Sequence, residues 1–190
     1  MSDANDPGVA GRQVYLDLNG NGVYDASPTA VAFNSGTVNV AIPDATGAVA
    51  TSSQTVSAPG LVTKATVRVT IAHTYVSDLA IDLVGPSGQS VMLFNGRGSA
   101  GTNLTNTVFD DAAGTAIAGG SAPFTGTFRP EEALAAFVGA AAAGTWTLRV
   151  RDSAAVDTGT ISNWTLTLTV AEPTQTTGAS TWKLAARPES

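Results

Sequence analysis

The sequence predicts an all-β protein whose strands pack as an antiparallel sandwich. Short runs of alternating apolar and polar residues recur along the chain, and Gly, Pro, Asn, Asp and Ser separate them. No convincing helix lies between consecutive strands, which argues against a parallel α/β sheet. Hydrophobic residues make up 43% of the chain and charged residues 13%, as expected for a packed globular protein. At 190 residues, the chain can hold one sandwich-sized domain and a small appendage.

Each predicted strand is defined by apolar residues at every second position. The first covers residues 14–18, and the next runs through residues 33–42 until Pro43 ends it. Residues 130–137 begin with Pro and two acids, so a helix of one or two turns is expected there. The remaining predicted strands are residues 54–57, 61–72, 75–84, 90–94, 146–150 and 164–170. In the last two, Trp146 and Trp164 share the parity of the core residues.

The loss and return of this alternation divides the chain into three parts. Residues 1–41 form an N-terminal segment, and a boundary near Pro43 opens the sandwich of residues 42–171. The pattern is lost after Glu172, so residues 172–190 are expected to be a flexible tail or linker.

Charge and composition exclude several classes of function. A net charge of -6, without a cluster of Lys or Arg, argues against a nucleic-acid partner. No apolar run is long enough to span a membrane. The absence of cysteine excludes disulfides, thiolate metal sites and cysteine nucleophiles. The Thr/Ser/Gly/Ala-rich composition favours a secreted or cell-surface protein whose signal peptide is not part of this sequence.

The segment from Asp17 to Asp25 has the pattern of a calcium loop. Oxygen-bearing groups recur at every second residue, and a glycine occupies the sixth position, where such loops turn sharply. The predicted ligands are Asp17, Asn19, Asn21, Val23 through its carbonyl, and Asp25. The Glu that normally closes such a loop is missing, because Ala26, Ser27 and Pro28 follow. A site here would therefore be weak or completed from elsewhere.

The sequence argues against an enzyme. Nucleophilic hydrolysis needs a base beside the nucleophile, and His73 is the only histidine. His73 continues the parity of Val67, Val69 and Ile71, so a buried structural imidazole at the end of a strand is the expected role. No Gly-x-Ser-x-Gly elbow is present.

Seven aspartates lie mostly at strand ends or in loops. They could be solvated turn residues, since Asp forms local hydrogen bonds to the backbone. They could also bind calcium, which prefers several loop-borne oxygens. The residues are Asp44, Asp78, Asp82, Asp110, Asp111, Asp152 and Asp157.

The order of short motifs from about Ile42 to Val170 resembles the P domain, or Homo B domain, of proprotein convertases and bacterial secreted proteases. Each motif is weak alone, but their number, order and spacing make the resemblance specific. The motifs are Ile42-Pro43-Asp44, His73-Thr74, Ser77-Asp78-Leu79-Ala80-Ile81-Asp82-Leu83, Pro86-Ser87-Gly88, Phe109-Asp110-Asp111-Ala112, Phe128-Arg129-Pro130, Gly144-Thr145-Trp146-Thr147-Leu148, Asp152, and Gly159-Thr160-Ile161-Ser162-Asn163-Trp164.

This resemblance implies a jelly-roll, galactose-binding-like sandwich of about eight strands. In that family the domain lies beside a subtilisin-like or other protease domain. It supports folding, stability and the response to calcium or pH, and it performs no chemistry itself. The resemblance favours Ca²⁺ as the cofactor, with Asp78, Asp110, Asp111 and Asp152 as candidate ligands. We expect the isolated domain to be monomeric. The alternative is a binding module for carbohydrate, peptide or a cell surface.

Overall fold

The computed structural model describes residues 28–45 and 47–171. This part of the chain forms ten β-strands and three short 3₁₀ turns, and it contains no α-helix. The strands are β1 (Thr29–Asn34), β2 (Val40–Ile42), β3 (Ala50–Val56), β4 (Leu61–His73), β5 (Leu79–Val84), β6 (Ser90–Asn95), β7 (Leu104–Phe109), β8 (Thr127–Phe128), β9 (Gly144–Asp152) and β10 (Gly159–Ala171). The 3₁₀ turns are Val76–Asp78, Ile117–Gly119 and Leu134–Phe137.

The strands form two sheets. Sheet A has the order β1-β10-β4-β7-β8, and β2 also pairs with β10. Sheet B has the order β3-β9-β5-β6. The short pairing of β7 with β8 is parallel, and the other strand pairs are antiparallel. The predicted all-β sandwich is confirmed, with ten strands in the described residues where about eight were expected.

The longest ladder joins β4 to β10 and runs the length of sheet A. Its register extends from Leu61 opposite Ala171 to His73 opposite Gly159. Along β4, alternate side chains enter the core, among them Val67, Val69 and Ile71 with no exposed surface. His73 continues this series at the end of the strand and is 2% exposed. The predicted inward orientation of His73 is therefore confirmed.

The two tryptophans of the last strands lie in the core, as their parity predicts. Trp146 and Trp164 have no exposed surface. The indole N–H of Trp164, in sheet A, donates to Ser52 Oγ of sheet B at 2.9 Å. The indole N–H of Trp146 donates to the carbonyl of Ala142 at 2.8 Å. Each ring thus buries a large apolar area while its polar atom keeps a partner.

Four local predictions differ from the structure. The strand expected over 33–42 is interrupted, since β1 ends at Asn34 and β2 begins only at Val40. The expected helix over residues 130–137 is only the 3₁₀ turn Leu134–Phe137, because so short a segment gains little from helix formation and its ends are held by other elements. The strand expected over 75–84 starts at Leu79, after the 3₁₀ turn Val76–Asp78. The strand expected over 54–57 is longer and begins at Ala50.

Sheet A also includes residues that precede Ile42, the predicted first residue of the sandwich. Strand β1 precedes that point and pairs with β10 along its whole length, from Thr29 opposite Val170 to Asn34 opposite Thr165. The predicted strand at residues 14–18 and the tail of 172–190 lie outside the described residues.

Candidate functional site

The last residue of β4, the last residue of β9 and the first residue of β10 meet at one end of the sandwich. His73 Nε2 lies 3.1 Å from Asp152 Oδ2, and neither side chain has exposed surface. Gly159 pairs with His73 across the sheet. A Cβ atom at Gly159 would overlap the imidazole Cδ2 and would lie 2.8 Å from the carbonyl of Ala72. Glycine is required here because the imidazole fills the space a side chain would need.

The polar atoms of this pair are satisfied within the protein. When Nε2–H donates to Asp152, Nδ1 can accept the main-chain N–H of Tyr75 at 3.2 Å, while the Tyr75 carbonyl lies 3.0 Å away. The second carboxylate oxygen of Asp152 accepts the N–H of Ala154 at 3.1 Å. Asn103 Oδ1 accepts the main-chain N–H of His73 at 3.0 Å. These bonds hold the imidazole in place and connect it to no serine or threonine hydroxyl within the described residues.

Three further aspartates surround this end of the sandwich. Asp157 Oδ1 accepts the Thr74 hydroxyl at 2.8 Å. Asp44 Oδ2 accepts the N–H of Val156 at 3.0 Å, and its Oδ1 is buried without a hydrogen-bond partner. Partial burial raises the pKa of Asp78, and the charges of Asp152 and Asp157 raise it further, although His73 opposes them. Together with Asp152, these residues place four carboxylates at this end of the sandwich.

The other two predicted ligands lie far from this end. Asp110 Oδ2 accepts a hydrogen bond from the Lys64 ammonium, whose Nζ lies 2.9 Å away. Asp110 Oδ1 accepts a hydrogen bond from the main-chain N–H of Ala112, also at 2.9 Å. Burial acts to raise the pKa of Asp110, but these two partners lower it below its ordinary value. Lys64 and His73 lie nine residues apart on β4, or about 30 Å at the rise of a strand.

Asp111 lies beside Asp110 and holds the 3₁₀ turn Leu134–Phe137. Its two oxygens accept the N–H groups of Leu134 at 2.9 Å and Ala135 at 2.7 Å. The predicted set of four carboxylates is thus divided between the two ends of β4, with Asp78 and Asp152 at one and Asp110 and Asp111 at the other. One ion cannot contact all four.

The residues do not assemble a complete cation site from side chains alone. Among residues 28–45 and 47–171, no three His, Asp or Glu side chains converge so as to hold a metal ion. The loop predicted to bind calcium through Asp17, Asn19, Asn21, Val23 and Asp25 lies outside the described residues.

Comparison with known proteins identifies the family. The family model described as "Proprotein convertase P-domain" matches residues 62–168, from the start of β4 to near the end of β10. The chain belongs to this family. The P domain is a non-catalytic accessory domain of proprotein convertases, in agreement with the sequence prediction that this chain is not an enzyme. No curated protein sequence matches the chain.

Two solved structures share the fold of this P domain. They are the serine protease of Aeromonas sobria in complex with the chaperone and the same protease by itself. Each is 20% identical over 79% of this chain, and the TM-scores are 0.53 and 0.51. The match covers 28% of each protease chain, so this chain corresponds to just over a quarter of their length.

Asp44 and Asp157 of this P domain lie beside Asp78 and Asp152, although the sequence did not group them. Both were recognised as loop acids but were not chosen as ligands, yet they lie at the same end as Asp78. Asp44 follows the first strands and Asp157 precedes the last, so only the closed sandwich brings them together. The only signal for them in the sequence was position. The motifs of the P-domain resemblance include Asp44, and they lie on both sides of Asp157, at Asp152 and Gly159.

Proposed function

We propose that this chain is the accessory domain of a larger secreted protein, in which it packs beside a protease domain and stabilises that domain. The observation that carries the proposal is the match to the P-domain family across residues 62–168, which include most of the two-sheet core. The fold shared with the Aeromonas serine protease chains supports it, because there the similar region is part of a protease chain.

The structure is suited to such a role. A domain stabilises its neighbour when it binds the native form of that neighbour and not the unfolded form. For this it must itself be folded and rigid, and the described residues have their own core between two sheets. The buried His73–Asp152 pair and the Trp164–Ser52 bond connect distant parts of the chain and hold this core in one arrangement.

The role can be tested in the full-length parent polypeptide with two matched glycine substitutions. Gly159→Ala forces a methyl group against His73 and the Ala72 carbonyl, whereas a Cβ at Gly114 has no atom within 4 Å. We expect Gly159→Ala to lower the melting temperature and yield of the protease domain, and Gly114→Ala to leave both unchanged. Removal of residues 28–171 should reproduce the first result. A protease domain that melts and accumulates identically in all four proteins overturns the accessory role.

We also propose that calcium stabilises the parent protein. The predicted loop Asp17–Asp25 supports this on sequence pattern alone. The described residues add support at the Asp78 end, where Asp152 and Asp157 crowd the Asp78 carboxylate and one oxygen of Asp44 is buried without a partner. Since no three of these side chains converge, main-chain carbonyls would have to complete a site there. Asp110 and Asp111 are excluded from it by their position.

Thermal unfolding with calcium and with EDTA tests this second proposal. An ion present at 100 times its dissociation constant adds about 2.7 kcal/mol to the free energy of unfolding. We expect EDTA to lower the melting temperature of the full chain. Asp17→Asn with Asp25→Asn should remove the response if the N-terminal loop binds the ion, and Asp78→Asn should remove it if the sandwich end does. An equal melting temperature in calcium and EDTA overturns calcium binding and leaves the accessory role intact.

Secretion belongs to the same proposal. It is supported by the family and by the cysteine-free, Thr/Ser-rich composition. Within the described residues, no helix has the length and hydropathy needed to cross a membrane.

A further inference from the structure

Strand β3 is an edge of sheet B that has no partner strand on its outer side among residues 28–45 and 47–171. The opposite edge, β6, is covered. There the N–H groups of Glu131 and Glu132 donate to the carbonyls of Leu93 and Met92, and the Glu132 carboxylate accepts the N–H of Met92 at 2.8 Å. Within the described residues, one edge of this sheet is thus covered and the other is open.

The register shows which main-chain groups of β3 face outward. Ser153 N donates to the carbonyl of Asp78 on the β5 side, so odd-numbered residues of β9 direct their main-chain groups to β5 and even-numbered residues to β3. Ala50, Ser52, Gln54 and Val56 pair with even-numbered residues of β9 and therefore bond to that strand. The N–H and C=O groups of Thr51, Ser53 and Thr55 face the open edge.

The open edge lacks the features that usually prevent strand addition. Edge strands are commonly blocked by lysine, by inward-pointing charges, by proline or by a bulge. Strand β3 has the sequence Ala-Thr-Ser-Ser-Gln-Thr-Val, without charge or proline, and its ladder with β9 shows no register shift. The outward residues carry small hydroxyl side chains that a neighbouring strand can pack against.

A cleft of about 440 Å³ opens beside β3, between the edges of the two sheets. It is lined by neutral residues only, and Phe33 and Val38 supply its apolar part. Gln54 points inward, with the same parity as the buried residues Ser52 and Val56. Its amide Nε2 is buried and has no hydrogen-bond acceptor. A ligand that fits this cleft is uncharged, partly apolar, and offers an acceptor to Gln54.

We propose that β3 is a docking edge for an extended, uncharged polypeptide segment, which adds to sheet B as a fifth strand. Its main chain bonds to Thr51, Ser53 and Thr55. Every second side chain of the segment points into the cleft, where one packs against Phe33 and Val38. A neighbouring acceptor group accepts a hydrogen bond from the side-chain amide of Gln54. Strand addition of this kind gives affinity through the main chain and specificity through the pockets for alternate side chains.

An extended peptide fits these observations better than a second copy of this chain. Pairing of β3 with β3 of another copy would engage seven residues on each side, whereas stable interfaces engage about 20–30 residues a side. It would also place Gln54 beside Ser52 of the other copy, and it would provide no defined side chain for the apolar part of the cleft. A peptide strand occupies both the edge and the cleft.

The test uses the full chain, labelled with ¹⁵N, and an array of seven-residue synthetic peptides in which Val, Leu or Phe alternates with Ser, Thr or Asn. We expect a subset of these peptides to bind and to slow amide hydrogen exchange at Thr51, Ser53 and Thr55. The amides of Ser52 and Gln54, already bonded to β9, should not change. Ser53→Pro removes an outward N–H but no main-chain bond to β9, and it should weaken binding at least tenfold. Ser53→Ala loses the same hydroxyl contact to Thr147 but keeps the N–H, so it should retain binding.

Gln54→Leu provides a second variant that does not alter the edge. It removes the buried amide, so we expect it to weaken peptide binding several-fold while its unfolding midpoint stays equal or rises. If Ser53→Pro fails to fold, exchange in the unmodified chain still decides the question. The proposal is overturned if no peptide of the array binds at millimolar concentration, or if binding leaves exchange at Thr51, Ser53 and Thr55 unchanged.

A different result would also overturn the proposal. If exchange at these three amides is slow without peptide and slows further as the protein concentration rises, a second copy of the chain occupies the edge. The inference does not rest on the accessory role. The glycine substitutions that test that role are measured on the protease domain, so either idea can fail alone.

Discussion

Replacing Asp152 by Ala tests whether the buried pair with His73 holds the end of the sandwich. The Asp152 carboxylate is unexposed and accepts two hydrogen bonds, from His73 Nε2 and Ala154 N, both at 3.1 Å. The substitution leaves both donors buried without an acceptor. Leaving one buried donor without an acceptor costs about 1–3 kcal/mol, so the two together should cost about 2–6 kcal/mol. For a protein of this length, that corresponds to a fall in melting temperature of roughly 4–24 °C.

The assay is urea unfolding of the full chain in EDTA, so that calcium does not contribute. Asp78→Asn is the matched control, since it removes one negative charge at the same end of the sandwich. Because the pKa of Asp78 is raised, its ionised form is disfavoured in the folded protein, and its neutralisation should leave stability equal or slightly higher at pH 7. The stability of Asp152→Asn, which retains one acceptor oxygen, should lie between those of Asp152→Ala and Asp78→Asn.

The predicted role of the pair is refuted if the free energy of unfolding of Asp152→Ala lies within about 1 kcal/mol of that of the unmodified chain, with an unchanged dependence on urea concentration. It is also refuted if Asp78→Asn destabilises the protein as much as Asp152→Ala does. Either result would mean that the two buried hydrogen bonds of Asp152 do not set the stability of this end of the sandwich.

Three further substitutions test other contacts by the same unfolding assay. Ser52→Ala leaves the buried Trp164 indole N–H without an acceptor and should cost about 1–3 kcal/mol. Asp111→Ala removes the acceptor of two N–H groups at a 3₁₀ turn and should cost about 0.5–2 kcal/mol, like the loss of a helix cap. Asp110→Asn should cost less than about 1 kcal/mol at pH 7, because the Lys64 pair is partly exposed. Since the pKa of Asp110 is lowered, its contribution is present at neutral pH and is lost as the pH falls through that lowered value.

Each of these expectations has a control within the chain. Ser53→Ala changes an exposed neighbour of Ser52 and should be nearly neutral; equal losses at both positions would contradict the role of the indole bond. Asp111→Asn keeps one acceptor oxygen and should recover part of the loss. A stability difference between Asp110→Asn and the unmodified chain that persists at the lowest pH would contradict the pairing with Lys64.

The sequence predicted the faces of the strands well. In a strand, successive side chains alternate between faces, so the core positions follow from the sequence once one of them is known. This local rule placed Trp146, Trp164 and His73 on the buried side, and all three are 2% exposed or less. The same rule could not distinguish a short helix from the 3₁₀ turn Leu134–Phe137, because contacts from Asp111 decide that geometry.

The sequence predicted the candidate site less completely. It named Asp78 and Asp152 as candidate ligands, but it grouped them with Asp110 and Asp111, which lie at the opposite end of β4. The motifs that contain these four acids are short, and nothing local to them determines which end of a strand lies beside which loop. The open edge of β3 and its cleft had no signature in the sequence either, because an edge exists only once the order of strands in the sheet is known.

By itself, the sequence determined that this chain is an all-β, cysteine-free protein whose motifs follow the order of the P domain, because alternation, turn residues and motif order are local properties of the chain. Only the tertiary structure decided which distant groups meet. His73 and Asp152 are 79 residues apart, and Asp44 and Val156 are 112 apart, yet each pair is joined by a hydrogen bond. The choice among such pairings depends on how ten strands order themselves into two sheets, and that order minimises the free energy of the whole core.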